Sequence, residues 1–190
     1  MTTSPKLQFL RPTSNDFSGL LNQRFARNFF PIPATNALEL GAIVPPFGLP
    51  DITNDRQVKL TNYLDKCPVV LAFTRIFTEK QYCPLCFPHI KALQENYDEF
   101  VGRGAALLMI TSTDATQSKK VVQDLGLKMP LLSDPGCRVF RSYQVGQALG
   151  APLPAQFIVD RHGQLRFKHL FSFLEPNASV EQLLAIVDDL

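Results

Sequence analysis

Val69-Val70-Leu71-Ala72-Phe73 is a continuous apolar run, short enough to be a strand buried on both faces. Beyond a polar stretch and two cysteines, Ile90, Leu93, Tyr97 and Val101 recur at helical spacing. Ala105 to Thr111 is a second apolar run, bounded by Gly104 and by Ser112-Thr113-Asp114, which predicts a strand followed by a helix cap. Val121, Val122 and Leu125 carry that helix to Gly126. Met129 to Leu132 then predicts a short strand, Asp134-Pro135-Gly136 a turn, and Phe140 with Tyr143 one or two helical turns. Phe157-Ile158-Val159 and Leu165 to Leu170 flank Asp160-Arg161-His162-Gly163, a hairpin turn signal. Val180, Leu183, Leu184 and Val187 mark a closing amphipathic helix. A proline-punctuated entry, Pro45 to Asp51, leads to a weak strand, Gln57 to Leu60, and a short helix around Thr61 to Leu64. The order is β-α-β-α-β-α-β-β-α. It predicts an α/β fold whose sheet is parallel early and gains an antiparallel edge from the late hairpin.

Residues 1–36 stand apart from the domain that follows over 37–190. Phe17, Leu20, Leu21, Phe25 and Phe29 mark one face of a predicted helix, capped by Asn15 or Asp16 and stopped by Pro31 and Pro33. Arg11, Arg24 and Arg27 raise a membrane-surface reading, but the segment is not dense in Lys or Arg. An N-terminal helix packed on the domain or on a second subunit is the favoured expectation.

Composition narrows the class. The chain has 190 residues, 45% of them hydrophobic and 19% charged, with net charge +2. That size suits one domain with an extension. The mild charge and the absence of like-charge blocks argue against nucleic acid. No apolar run approaches a membrane span, and the N-terminus lacks the pattern of a signal peptide. Four cysteines are too few for a disulfide scaffold in a chain this size, which points to a reducing, cytoplasmic compartment.

Cys83-Pro84-Leu85-Cys86 therefore reads as a redox pair rather than a structural bridge. Lying between the buried strand and a helix start, these residues meet unpaired backbone N–H groups and the positive end of the helix dipole, both of which favour thiolate. Cys83 is the expected nucleophile and Cys86 the thiol placed to resolve it as a disulfide.

A CxxC opening a helix within β-α-β units reads as a thioredoxin-like motif. From about Leu38 to Leu190 the chain resembles the thioredoxin-fold superfamily and, within it, the alkyl hydroperoxide reductase/thiol-specific antioxidant family, the peroxiredoxin-like branch. The resemblance rests on Pro46 to Asp51, Val69 to Arg75, Tyr82 to Cys86, Leu132 to Gly136 and Leu153 to Gly163, in this order and spacing. It implies a mixed sheet flanked by helices. It also implies that Pro154 is the proline that is cis in thioredoxin-like proteins, exposing backbone beside the cysteines. Phe73, Arg75 and Tyr82 echo a branch in which Phe-x-Arg leads to an aromatic-Cys-Pro-x-Cys motif. Arg75, Tyr82, Pro84 and Pro154 are accordingly the substrate-binding candidates.

Three positions depart from the family pattern. The threonine ahead of the peroxidatic cysteine falls on Lys80, the peroxide-polarising arginine falls on Pro154, and the buried aspartate of thioredoxins falls on Ala72. A guanidinium at Arg75 would lower the Cys83 pKa, although the inserted Ile76 to Gln81 is expected to separate the two. Glu79 and Lys80 read as solvated loop residues, and Pro88 is expected to kink or delay the helix. Cys83-x-x-Cys86-x-x-His89 offers three metal ligands where structural zinc takes four, so no metal or cofactor is implied. Cys67 reads as a buried apolar-like residue and Cys137 as semi-exposed. His162 and His169 have no obvious partner, and Asp188 and Asp189 read as helix-end solvation rather than a carboxylate pair.

Three readings follow. The first is a thiol peroxidase: Cys83 attacks a hydroperoxide, and Cys86 condenses with the resulting sulfenic acid. The second is a disulfide reductase acting on protein disulfides through the same pair. Either would be recharged by a thioredoxin- or glutaredoxin-type reductant, as a monomer or homodimer. The third is a non-catalytic redox-sensing module whose N-terminal helix binds a partner.

Overall fold

The computed structural model describes residues 14–190, so Arg11 and the start of the N-terminal segment lie outside the described residues. In chain order the elements are α1 (Gln23–Arg27), β1 (Gly48–Asp51), β2 (Arg56–Lys59), a 3-10 turn (Leu60–Asn62), β3 (Val69–Thr74), β4 (Ile76–Thr78) and β5 (Gln81–Tyr82). There follow α2 (Phe87–Glu95), α3 (Tyr97–Gly102), β6 (Ala106–Thr111), α4 (Ala115–Leu125), β7 (Leu131–Ser133) and α5 (Arg138–Ser142). The chain closes with β8 (Gln147–Ala148), β9 (Ala151–Pro152), β10 (Ala155–Val159), β11 (Leu165–Leu170) and α6 (Val180–Asp188).

Seven strands form one mixed sheet in the order β11-β10-β3-β6-β7-β1-β2. β3, β6 and β7 run parallel, as expected of strands separated by helical crossovers. The antiparallel β10–β11 hairpin lies at one edge and the antiparallel β1–β2 hairpin at the other. The β3 run is buried along its whole length, and its side chains alternate between two cores. Val69, Leu71 and Phe73 pack with Phe140, Tyr143 and Phe157 on one face. Val70 and Ala72 pack beneath Ile90, Leu93, Val180 and Leu183 on the other. Caps fix the helices that cover this second face. Asp114 accepts from the Gln117 N–H at 2.8 Å, Gly126 ends α4 in the left-handed region, and Ser179 accepts from the Gln182 N–H at 3.1 Å.

Several local expectations change. The helix predicted across Phe17 to Phe29 is only α1, capped by the Asn22 side chain on the Phe25 N–H. Gly19, at φ +74°, and the Asx turn of Asp16 on the Ser18 N–H interrupt anything longer. The segment from residue 14 to 36 is an arm laid over the domain. Ile32 exchanges both backbone hydrogen bonds with Gln147 at 2.8 Å, and Arg24 donates to the Ser112 carbonyl at 2.6 Å and to the Phe77 carbonyl. Pro88 neither kinks nor delays α2, because it occupies the first turn, where its missing N–H has no intrahelical partner to lose. The break comes at Asn96, whose amide bonds back to the Ala92 carbonyl at 2.8 Å. That break puts Phe100 in the core and leaves Val101 about half exposed.

Candidate active site

The insertion between Arg75 and the cysteines folds out as the β4–β5 hairpin, with Ile76 opposite Tyr82 and Thr78 opposite Gln81. Its closure returns the chain to its starting point. The Cys83 N–H donates to the Arg75 carbonyl at 3.2 Å, so the expected separation of Arg75 from the cysteines does not occur. The turn then winds directly into α2: the Cys83 carbonyl accepts from the Cys86 N–H at 2.9 Å and from the Phe87 N–H at 3.0 Å. Cys86 is the N-cap of the helix, and Cys83 sits one turn before it.

Both cysteines are buried free thiols, Cys83 6% exposed and Cys86 1%. Their protons are unequally held. The neighbouring Cys86 thiol, as a donor to the sulfur, is the leading influence that favours the Cys83 thiolate, and the Leu85 and Cys86 backbone N–H groups and the charge of Arg75 add to it against the opposing cost of burial. The result holds Cys83 well below the ordinary thiol range. The same hydrogen bond, seen from its donor, together with burial, pushes Cys86 far up. One thiol is therefore the thiolate and the other keeps its proton, which is the division of labour that a nucleophile and a resolving thiol need.

Arg75, itself 8% exposed, acts here through charge. Its guanidinium hydrogen bonds go to the Ala148 carbonyl and, at 3.3 Å, to the Leu149 carbonyl, and its Cζ lies 4.7 Å from the centroid of the Phe77 ring. Those contacts lock the cation beside the cysteines. Tyr82 and Pro84 line a cavity of about 240 Å³ together with Phe17, Leu20, Phe25, Phe77 and Leu149. The arm thus supplies one wall of the pocket flanking Cys83.

Pro154 differs from expectation. No peptide bond among the described residues is cis, so the Leu153–Pro154 bond is trans. The proline is buried just before β10, at the end of β3 from which the cysteine loop departs, and is not among the cavity walls. Lys80 pairs with Asp16 of the arm at 2.5 Å, and Glu79 with Lys120 at 3.1 Å; both serve the hairpin rather than the thiols. His89 turns to the Ala178 carbonyl, and burial brings its pKa down to about 4. Cys137 is buried rather than semi-exposed, with its sulfur 3.7 Å from the Asn28 amide, and burial pushes its thiol up. Cys67 is half-buried ahead of β3.

Sequence reasoning missed Gln156 and Asn177. Gln156, fully buried on β10, pairs with Ala72 across the ladder and shares its face. A neutral amide thus stands on the face where thioredoxins carry a carboxylate. The signal was a lone amide inside the apolar run Ala155 to Val159, since a buried amide requires partners.

A family model described as AhpC/TSA family matches residues 40–168. The chain belongs to that family. It is accordingly an oxidoreductase of the peroxiredoxin type, and the non-catalytic module is set aside. Peroxiredoxin Q of Triticum aestivum is 28% identical over 203 residues, covering 100% of this chain and 90% of the relative. Peroxiredoxin Q of Suaeda salsa is 28% identical over 79% of this chain and 68% of its own length. The crystal structure of peroxidoxin BcpB from Mycobacterium tuberculosis superposes with TM-score 0.68 at 22% identity, over 80% of this chain and 98% of that one, and supports the thioredoxin-like fold. Both peroxiredoxin Q relatives are chloroplastic proteins, which overturns the cytoplasmic expectation. Cysteine usage separates reducing from oxidising surroundings and does not distinguish one reducing compartment from another.

Proposed function

We propose that the protein reduces hydroperoxides through Cys83 and resolves itself through Cys86. The Cys83 thiolate attacks the terminal peroxide oxygen, the O–O bond breaks, and the alkoxide or hydroxide leaves and takes a proton. Cys83 becomes a sulfenic acid. The Cys86 sulfur then attacks the Cys83 sulfur; hydroxide departs with the Cys86 proton as water, and a disulfide remains. A thioredoxin-type dithiol returns both electrons. The observation that carries this reading is the placement of both cysteines in the turn that opens α2, with the Cys83 N–H on the Arg75 carbonyl at 3.2 Å and the Cys86 N–H on the Cys83 carbonyl at 2.9 Å.

The test is rapid mixing of the reduced protein with hydrogen peroxide, alongside Cys83→Ser and Cys86→Ser. Fast loss of two thiols is expected in the parent, none in Cys83→Ser, and arrest at a trappable sulfenic acid in Cys86→Ser. A rate no greater than that of a free thiol of equal pKa refutes it. Thiol–disulfide exchange is then the second reading, favoured by Lys80 and Pro154 standing where the family's threonine and arginine would assist peroxide.

A further inference from the structure

The redox turn is tied to the central sheet by a chain of amides. Gln156, on β10, accepts from the Ala178 N–H at 2.8 Å and donates through its other end to the Asn177 side-chain oxygen at 2.9 Å. The Asn177 amide nitrogen donates to the Leu85 carbonyl at 3.0 Å. A peptide unit is planar and trans, so fixing its oxygen fixes the direction of its N–H. The N–H opposite the Leu85 carbonyl is that of Cys86, which bonds the Cys83 carbonyl at 2.9 Å and so closes the turn that carries the Cys83 sulfur. A hydrogen bond accepted at a peptide oxygen also polarises the N–H across from it.

We propose that Asn177 is a positioning residue for the Cys83 thiolate: by holding the Leu85 carbonyl it aims and polarises the Cys86 N–H and fixes the Cys83–Cys86 turn around the sulfur. Gln156 in turn holds Asn177 from the sheet. Neither residue touches the reacting atoms. The inference rests on Cys83 as the nucleophile and is indifferent to whether its substrate is a peroxide or a disulfide. The groups that face Cys83 are Arg75 from the end of β3 and Cys86 from the turn, and His89 on α2 is directed to Ala178. Asn177 therefore adds no charge of its own and acts through the peptide.

The experiment measures the pH midpoint of Cys83 alkylation by iodoacetamide in the reduced full chain carrying Cys67→Ser and Cys137→Ser. It compares Asn177→Ala and Asn177→Asp with that parent. Asn177→Ala is expected to raise the midpoint by about a third to half a pH unit, no more than loss of the Arg75 charge, because the Cys86 N–H ranks below that charge in holding Cys83 down. Asn177→Asp keeps the acceptor for Gln156, loses the donor to Leu85 and adds negative charge, so it shifts further in the same direction. Near-ultraviolet circular dichroism shows which variants are folded. A parent-like midpoint in either folded variant overturns the proposal; should Asn177→Ala not fold, the near-isosteric aspartate decides it. Because the readout uses no peroxide, a failed peroxidase assay leaves this result standing, and the converse also holds.

Discussion

Cys86→Ala should make the protein a worse nucleophile in acid and a better one in base. The leading cause of Cys83 acidity is the S–H donated by Cys86, which holds the Cys83 pKa near about 6. A hydrogen bond to a charged group contributes about 1.5–3 kcal/mol, and one pKa unit corresponds to about 1.36 kcal/mol. Removing the donor therefore raises the midpoint by roughly 1–2 units. For a shift of about 1.5 units, thiolate at pH 6 falls from about one half to about 3%, a roughly sixteenfold loss. The more basic thiolate is intrinsically more nucleophilic, with a Brønsted slope of about 0.4–0.5, which restores roughly fivefold. Alkylation of Cys86→Ala is then about threefold slower at pH 6 and about fivefold faster at pH 9, the two profiles crossing near about pH 7. Cys86→Ser keeps a hydroxyl donor and should stay close to the parent. The assay is the pH profile of alkylation in the background lacking Cys67 and Cys137. Profiles that do not cross, with the alanine midpoint still near that of the parent, would refute the assignment of Cys86 as donor.

Two further outcomes are expected. Arg75→Met should raise the Cys83 midpoint by about half a unit, less than Cys86→Ala, because the cation ranks below the thiol donor and the Leu85 N–H; a larger shift than in Cys86→Ala would contradict that order. Gly150→Ala places a Cβ 2.0 Å from the Phe25 ring at a backbone φ of +88°, so the arm must lift or the loop must strain. A loss of about 1–3 kcal/mol in urea unfolding, with new trypsin cleavage at Arg24 or Arg27, is the expected result, and an unchanged digest would show that Phe25 does not anchor the arm.

The sheet was legible because its central strands are buried on both faces and read as unbroken apolar runs. The position of Cys83 and Cys86 at the start of a helix was legible because their spacing follows such a run. The β4–β5 hairpin was not, since Glu79-Lys80 dominates a stretch whose strands are only two or three residues long and pair locally. With the hairpin unseen, Arg75 looked distant from Cys83. The arm misled for a different reason: its apolar residues keep helical spacing, but Gly19 turns the backbone and leaves Phe17 and Leu21 exposed outside any helix. Pro154 was assigned a cis bond from resemblance, and no local physics in the chain required it. Asn177 lies far along the chain from Leu85, and a contact of that separation leaves no periodic trace.

The arm's attachments have a bearing on the order in which the chain can fold. Arg24 reaches Ser112 across 88 positions, and the Gln147 side chain reaches the Arg27 carbonyl across 120. Contacts so remote in sequence carry the largest loop-closure cost and reward the chain only after the sheet between them exists. On the ribosome the arm emerges early while its landing strip around residues 147–150 comes near the end. Phe25 must wait through most of synthesis for the backbone at Gly150 against which its ring lies, an uncovered aromatic of the kind that invites aggregation or chaperone capture. The wall that the arm gives to the cavity lined by Tyr82 and Pro84 is then a late addition, and a chain stalled before that step would leave this side of the cavity open.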